Sequence, residues 1–336
     1  MQRRPLGATG LQVSRFGLGT WSWGRDTDEY DARDQLTAFV DAGGTLLDTS
    51  ASYGDGASEG LIGELLRDTV DRDDVVIATK AGSGDGDKRR VRDTSRGALL
   101  RALDGSLDRM GVDSVDLWQV EFWSDGVPLE ETLSALDAAV HSGRAHYVGV
   151  SNYSGWQTAQ AATWQRAWPG RARLASTQVE YSLLNREIEH EVVPAALALG
   201  LGILAWSPLG RGVLTGKYRT GMPADSRAAT PHLEAFVAPY LDERAAGIVE
   251  AVCKAADGLA LSPVEVSLAW LRDRPGVSAA LLGARTAAQL RGALSAEEVD
   301  LPQEIRTALD DVSAGDLDGD DADEPDADPD PDLRGM

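Results

Sequence analysis

Four ionisable residues stand where apolar runs stop. Asp48 closes Thr45-Leu46-Leu47-Asp48, and Tyr53 follows five residues on. Lys80 ends Val75-Val76-Ile77-Ala78-Thr79-Lys80, and Glu121 follows Asp116-Leu117-Trp118-Gln119-Val120. A short apolar, β-branched run that ends in a charge reads as the C-terminal end of a buried strand, where barrel enzymes keep their chemistry. A phenol titrates near pH ~10, too high to protonate a carbonyl well at neutral pH. A cation within hydrogen-bond reach stabilises phenolate and lowers that value. Lys80 can supply the cation, and Asp48 can hold Lys80 charged and oriented. Tyr53 would then be the general acid for an oxyanion forming as hydride arrives. Each residue alone reads equally as part of a plain ion pair; three together at strand ends point to catalysis.

The elements that must position these residues alternate along the chain. Apolar runs at Phe16–Leu18, Thr45–Leu47, Val75–Thr79, Val115–Val120, Tyr147–Val150, Ala175–Val179, Ile203–Trp206 and Ala279–Leu282 are strand candidates. They are nearly continuous in hydrophobicity, as parallel strands buried on both faces require. Helical spacing separates them: Leu99, Leu103, Leu107 and Met110 recur every three to four residues, and Thr132–His141 repeats the period before Gly143 as a cap. The pattern predicts an α/β fold, a (β/α)8 TIM barrel. The runner-up, two doubly wound halves, lacks a Gly-rich phosphate loop after the first strand; Gly17-Leu18-Gly19-Thr20-Trp21-Ser22 is the nearest match. Arg3–Leu6 and Leu11–Val13 around Gly7-Ala8-Thr9-Gly10 read as an N-terminal β-hairpin plugging the barrel bottom. Residues 207–245 form a long connection after the seventh strand, of the kind that usually carries function. Residues 1–312 are expected to form the barrel, and 313–336 an acidic disordered tail.

Composition narrows the partners. With 336 residues and 43% hydrophobic content, the chain can build one large core or two modest ones. The net charge of −22 disfavours nucleic acid and anionic membranes. Residues 316–332 hold ten acidic residues against Arg334 beyond position 315, so the tail carries −9 and the body −13. The tail's Asp316–Asp321 spacing is similar to a calcium loop, but its glycine is misplaced and Ala327 stands at position twelve, so it is rejected. Few apolar residues and three prolines argue for disorder there. Lysine is scarce, four residues against 28 arginines; a salt-rich cytoplasm and a high-GC genome explain this equally. The lone Cys253, in a helical-looking stretch, reads as a packing thiol and excludes an intramolecular disulfide. Neither an export signal nor an 18-residue apolar run is found, so a cytoplasmic protein, a monomer or small homo-oligomer acting on a small molecule, is expected. The histidines His141, His146, His190 and His232 show no metal spacing, so no metal is expected.

Asp48, Tyr53 and Lys80, in these strings, resemble the catalytic set of the aldo-keto reductases, in the branch that includes the potassium-channel β subunits and bacterial and archaeal reductases. The family's fourth catalytic residue is usually His, and this chain has Glu121. The resemblance spans residues 3–310 and implies a nicotinamide cofactor, NADP (NADPH) in preference to NAD. It places Gly19, Thr20, Trp21 and Asp48 at the cofactor. Ser151-Asn152 after the fifth strand and Gln178 would hydrogen-bond the nicotinamide carboxamide. Trp206 would stack on nicotinamide; Ser207, Pro208, Leu209, Gly210 and Lys217 would wrap the pyrophosphate, with Arg227 as a further clamp. Gly283, Arg285 and Gln289 match the adenosine end, where Arg285 could pair bidentately with a 2′-phosphate. Family members commonly follow that Gln with a Glu and an Asn that read adenine; Gly292 and Ala293 stand there instead, so fewer adenine contacts are expected.

Glu121 leaves three readings open. Burial beside Phe122, Trp123 and Trp118 could make it a neutral donor, as implied by the steroid 5β-reductases, which carry Glu here and reduce an activated C=C bond. Ionised, it would favour a cationic substrate such as an iminium or aminoketone. It could also only pair with Lys80 or a nearby Arg. Trp21, Trp23 and Trp123 follow the first and fourth strands and read as an aromatic substrate mouth, or as packing under the loops. A regulatory module that binds NADP with little turnover is the second functional reading.

Overall fold

A computed structural model describes residues 1–83, 92–224 and 226–314; the tail's expected disorder and the rejected calcium-like spacing lie outside the described residues. The hairpin pairs β1 (Arg3–Pro5) antiparallel with β2 (Gln12–Ser14). Eight strands follow: β3 (Phe16–Gly19), β4 (Leu46–Asp48), β5 (Val76–Ala81), β6 (Val115–Val120), β7 (Ala145–Ser151), β8 (Leu174–Glu180), β9 (Gly202–Trp206) and β10 (Val277–Leu282). Every neighbouring pair is parallel, and β10 pairs with β3 to close the barrel. The expected (β/α)8 barrel is therefore the observed one, and all eight strand candidates are strands.

Helices α1 (Glu29–Asp41), α2 (Ala57–Asp68), α3 (Arg96–Met110), α4 (Leu129–His141), α5 (Gly155–Arg166) and α6 (Val192–Leu199) connect strands. The short α7 (Glu234–Val237), then α8 (Glu243–Leu259) and α9 (Pro263–Arg272), fill the stretch between β9 and β10. α10 (Ala287–Leu294) and α11 (Gln303–Ser313) end the described chain. The helix expected over 132–141 starts three residues earlier, behind Pro128, and Gly143 leaves it at φ +76°. Cys253 is buried on α8, as a packing thiol should be. No helix of the described residues is long and apolar enough to cross a membrane.

Strand parity decides what faces the barrel axis. Successive side chains alternate sides, so residues two apart share a face. Leu46, Ala78, Leu117, Leu204, Ala279 and Leu281 pack together inside the barrel, with Leu6 and Val13 of the hairpin region. Two residues on from Leu46 and Ala78 stand Asp48 and Lys80; two on from Leu204 stands Trp206, and four on from Leu117 stands Glu121. The same parity that fills the interior thus aims these groups into the C-terminal mouth. The hairpin closes the other end. Gly7 there has φ +56°, and a Cβ on it would lie 2.5 Å from the Gly200 carbonyl oxygen.

Leu6 is wholly buried in that interior cluster. Leu6→Ala is expected to cost about 2–5 kcal/mol of unfolding free energy through the cavity it leaves. Urea denaturation checks it; a loss under about 1 kcal/mol would mean the hairpin is not structural to the barrel.

Candidate active site

The mouth of the barrel opens into a cavity of about 1270 Å³. At its base, the Lys80 ammonium donates to Asp48 Oδ1 and Oδ2 at 2.9 and 2.8 Å and to the Thr49 carbonyl at 2.8 Å. Both side chains are almost fully buried. Burial alone would lower the Lys80 pKa, but Asp48, by charge and hydrogen bond, with the charge of Glu121 adding to it, outweighs burial and holds the ammonium above its usual range. Lys80 Nζ lies 5.0 Å from the Tyr53 ring centroid. Lys80 was expected to lower the phenol's pKa. Its charge and its hydrogen bond do pull that way, but burial pulls harder, with Asp48 and Glu121 adding to it, and the net direction is upward. Tyr53 is thus held as the protonated phenol.

Asp48 has a second partner. Gln178 Nε2 donates to its Oδ1 at 2.7 Å. The Gln178 carbonyl in turn accepts from Ser151 Oγ at 2.9 Å and from the Asn152 amide at 2.9 Å. Asn152, at φ +55°, links three strand ends: its Nδ2 donates to the Glu121 carbonyl at 3.1 Å, and its Oδ1 accepts from Trp206 Nε1 at 3.0 Å. Behind Asp48 a hydroxyl layer fixes the loop start. Thr20 Oγ1 donates to the Asp48 carbonyl at 3.0 Å and contacts Ser58 Oγ at 2.7 Å, which lies 3.0 Å from Thr49 Oγ1.

Glu121 is buried, 6% exposed, at the cavity wall. Ser50 Oγ donates to its Oε2 at 3.0 Å, and Ser52 Oγ lies 3.3 and 3.4 Å from its two oxygens. Among the described residues no cation pairs with it; Lys80, the expected partner in the plainest reading, spends its bonds on Asp48 and Thr49.

Three cations gather further along the cavity. Lys217 and Arg227 both have pKa values lowered, first by burial, then by neighbouring guanidiniums: Arg227 and Arg285 act on Lys217, and Arg285 and Arg25 on Arg227. Arg285 opens the turn into α10, where its amide donates to Gln289 Oε1 at 3.0 Å. Gly283, Gln289 and Ala293 line the same wall, and Gly292 does not. The connection after β9 wraps this end through Ser207, Gly210, Arg211, Gly212 and Gly216, all at positive φ. Arg211 ties the wrap down: its guanidinium meets Glu180 at 3.0 and 2.8 Å and donates to the Phe236 carbonyl at 2.6 Å.

Most of the residues singled out from sequence meet at this cavity: Gly19, Trp21, Asp48, Tyr53, Lys80, Glu121, Ser151, Asn152, Gln178, Trp206, Ser207, Pro208, Leu209, Lys217, Arg227, Gly283, Arg285 and Gln289. Thr20 and Gly210 do not line it. Thr20 is wholly buried in the hydroxyl layer, and a Cβ on Gly210 would lie 2.5 Å from Leu184. The aromatic mouth is also partly corrected. Trp23 is a core residue whose indole donates to Gln35 at 3.1 Å, and Trp123 packs edge-on against Tyr153 and Trp156; Trp21, Phe122 and Phe236 line the cavity instead. Sequence reasoning missed Ser50, Ser52, the Arg211–Glu180 pair and a bridge of 3.3 Å from His232 to Asp26 at the rim. A hydroxyl's partner 70 residues away leaves no local pattern to read. His232 had been weighed as a metal ligand only; among the described residues no His, Cys, Asp or Glu cluster could hold a metal.

Comparison with known proteins agrees with this geometry. The model of the Aldo/keto reductase family matches residues 15–314. The chain is 35% identical to the uncharacterized oxidoreductase YrpG of Bacillus subtilis, over 94% of this chain and 97% of that one. It is 35% identical to a probable voltage-gated potassium channel subunit beta of Oryza sativa subsp. japonica, covering 84% and 87%. It is also 35% identical to the L-glyceraldehyde 3-phosphate reductase of Escherichia coli (strain K12), covering 86% of each. The chain belongs to the aldo/keto reductase family, oxidoreductases that reduce small carbonyl compounds with a nicotinamide cofactor.

Proposed function

We propose that the protein is an NADPH-dependent reductase that delivers hydride to a carbonyl or an activated double bond, with Tyr53 as the general acid. The observation that carries this reading is the buried Lys80 ammonium, fixed by Asp48 and set against Tyr53 at the foot of a large cavity. The ammonium steadies the phenolate left when Tyr53 gives up its proton.

The far end of the cavity fits a polyanionic cofactor. Burial and neighbouring guanidiniums, Arg285 among them, lower the pKa values of Lys217 and Arg227, and a phosphate-bearing ligand would offset that repulsion. Trp206 offers an aromatic face, and Gln178, its amide nitrogen committed to Asp48, is left with its oxygen to accept from a carboxamide. Bound there, the cofactor supplies the hydride from C4 of its nicotinamide. Asp48, Gln178 and Asn152 keep the strand ends in register around it, and Tyr53 holds the proton to be delivered.

The second reading, an NADP-binding module with little turnover, is favoured by the likeness to plant channel subunits. NADPH oxidation across a panel of aldehydes, enones and cyclic imines separates the two; tight NADPH binding with no turnover on any of them selects the module.

Lys80→Met should lower kcat by about 10²–10⁴-fold, as removal of acid–base assistance does, while NADPH affinity by fluorescence titration changes little. An undiminished rate would remove Tyr53–Lys80 from the mechanism. Arg285→Ala should weaken NADPH about ten- to a hundredfold, the worth of a charge-assisted hydrogen bond, and NADH much less; equal weakening of both would discount a 2′-phosphate contact. Glu121→His should raise turnover of simple aldehydes, and an unchanged or lower rate would mean Glu121 does not redirect the chemistry.

A further inference from the structure

The environment of Glu121 says more about what is reduced. Its main chain is fixed at both polar ends: its amide donates to the Ala81 carbonyl at 2.8 Å, and its carbonyl accepts from Asn152. Its carboxyl meets neutral hydroxyls, not a cation. Ser50 Oγ accepts from the Ser52 amide at 3.2 Å and lies 2.9 Å from Ser52 Oγ and 3.0 Å from Glu121 Oε2. Ser52 Oγ covers both carboxyl oxygens. Two hydroxyls position this carboxylate without neutralising it, and it lines the cavity beside Tyr53 and Phe122.

We infer that Ser50 and Ser52 hold Glu121 as an anionic acceptor at the substrate end of the cavity, which fits the site to a cationic C=N substrate, an iminium, over neutral carbonyls. This rests on the reductase reading above. An alkoxide forming beside a carboxylate to which no cation among the described residues is hydrogen-bonded is opposed by it. The same charge makes the Tyr53 proton harder to release. An iminium meets neither obstacle. Its N–H donates to Glu121 and its charge is attracted. When hydride adds, a C–H bond forms, the C=N π pair moves onto nitrogen, and a neutral amine leaves without needing a proton. The electron pair comes from the reduced nicotinamide, which takes over the positive charge. Because the attraction acts on the bound cation before reaction, the effect belongs in KM more than in kcat. Ser50 and Ser52 are positioning residues that act through Glu121.

The test uses the full chain with NADPH and two probes of similar size, 2-methyl-1-pyrroline and cyclopentanone. The wild type should show the higher kcat/KM on the imine. Glu121→Gln should raise KM for the imine about tenfold or more, the scale of a lost charged hydrogen bond, and leave the ketone's unchanged or lower. Ser50→Ala with Ser52→Ala should move the same preference in the same direction. A wild type that prefers the ketone, or variants that weaken both probes equally, overturns the inference. If no probe is turned over, the reductase reading fails separately, and binding decides this one. The NADP⁺-loaded protein, titrated by tryptophan fluorescence, should bind 2-methylpyrrolidine at least about tenfold more tightly than cyclopentanol through the same charged hydrogen bond, and lose that preference in Glu121→Gln. Equal binding of the two overturns the inference.

Discussion

The buried Lys80–Asp48 pair is the interaction around which the rest of the site is arranged. A charge taken out of water is costly unless paired and hydrogen-bonded, and breaking such a pair leaves an uncompensated ion. Lys80 meets that demand with both Asp48 oxygens and the Thr49 carbonyl. Asp48 then dictates its other neighbour. As an acceptor-only group it must receive the nitrogen of the Gln178 amide, which fixes the orientation of that side chain and leaves its oxygen for a donor. Gln178's carbonyl holds Ser151 and Asn152, and Asn152 reaches Glu121 and Trp206. One ion pair between β4 and β5 thus propagates its geometry across β6, β7, β8 and β9. An ordered chain of hydrogen bonds along the strand ends is a consequence of satisfying a lysine.

Much of this was legible in the sequence because the barrel repeats one rule. A parallel strand buried on both faces is an unbroken apolar run, and inside a barrel every second residue points to the axis. Once Leu46 and Ala78 are placed inward, Asp48 and Lys80 follow by parity, and the same count places Trp206. The hairpin was legible for a similar reason: a turn-rich Gly7–Gly10 segment between two short apolar runs has few other folds. What failed was the fate of residues in loops, where parity lapses. Trp21 and Trp23 differ by two positions yet part company, one to the cavity and one to the core, because they lie in a turn closed by the Trp23 amide on the Thr20 carbonyl, where strand alternation no longer holds. Thr20 sits one residue beyond the inward Gly19, and turns back to bond Asp48 and Ser58 instead of facing the cavity. Ser50 and Ser52 acquire meaning only when β6 delivers Glu121 above them, a juxtaposition that needs the closed barrel.

The two ends of the cavity are electrostatic opposites, and that contrast constrains how the protein can work. A net charge of −22 produces a field that repels a dinucleotide phosphate at long range, though salt screens it beyond about 10 Å. Lys217, Arg227 and Arg285 must therefore act locally. Burial and nearby guanidiniums lower the pKa values of Lys217 and Arg227, a cost that a polyanion placed beside them would offset. The wrap that carries two of them is pinned by the Arg211–Glu180 pair, so the cations are presented before any ligand arrives, which spares the entropy of collecting them. At the substrate end the field has the other sign. Glu121 lines the cavity there, held by two hydroxyls and with no cation hydrogen-bonded to its carboxyl group among the described residues. A carboxylate placed there opposes an anion forming on a neutral acceptor, whereas with a cationic acceptor it assists binding, an attraction lost as the acceptor turns neutral.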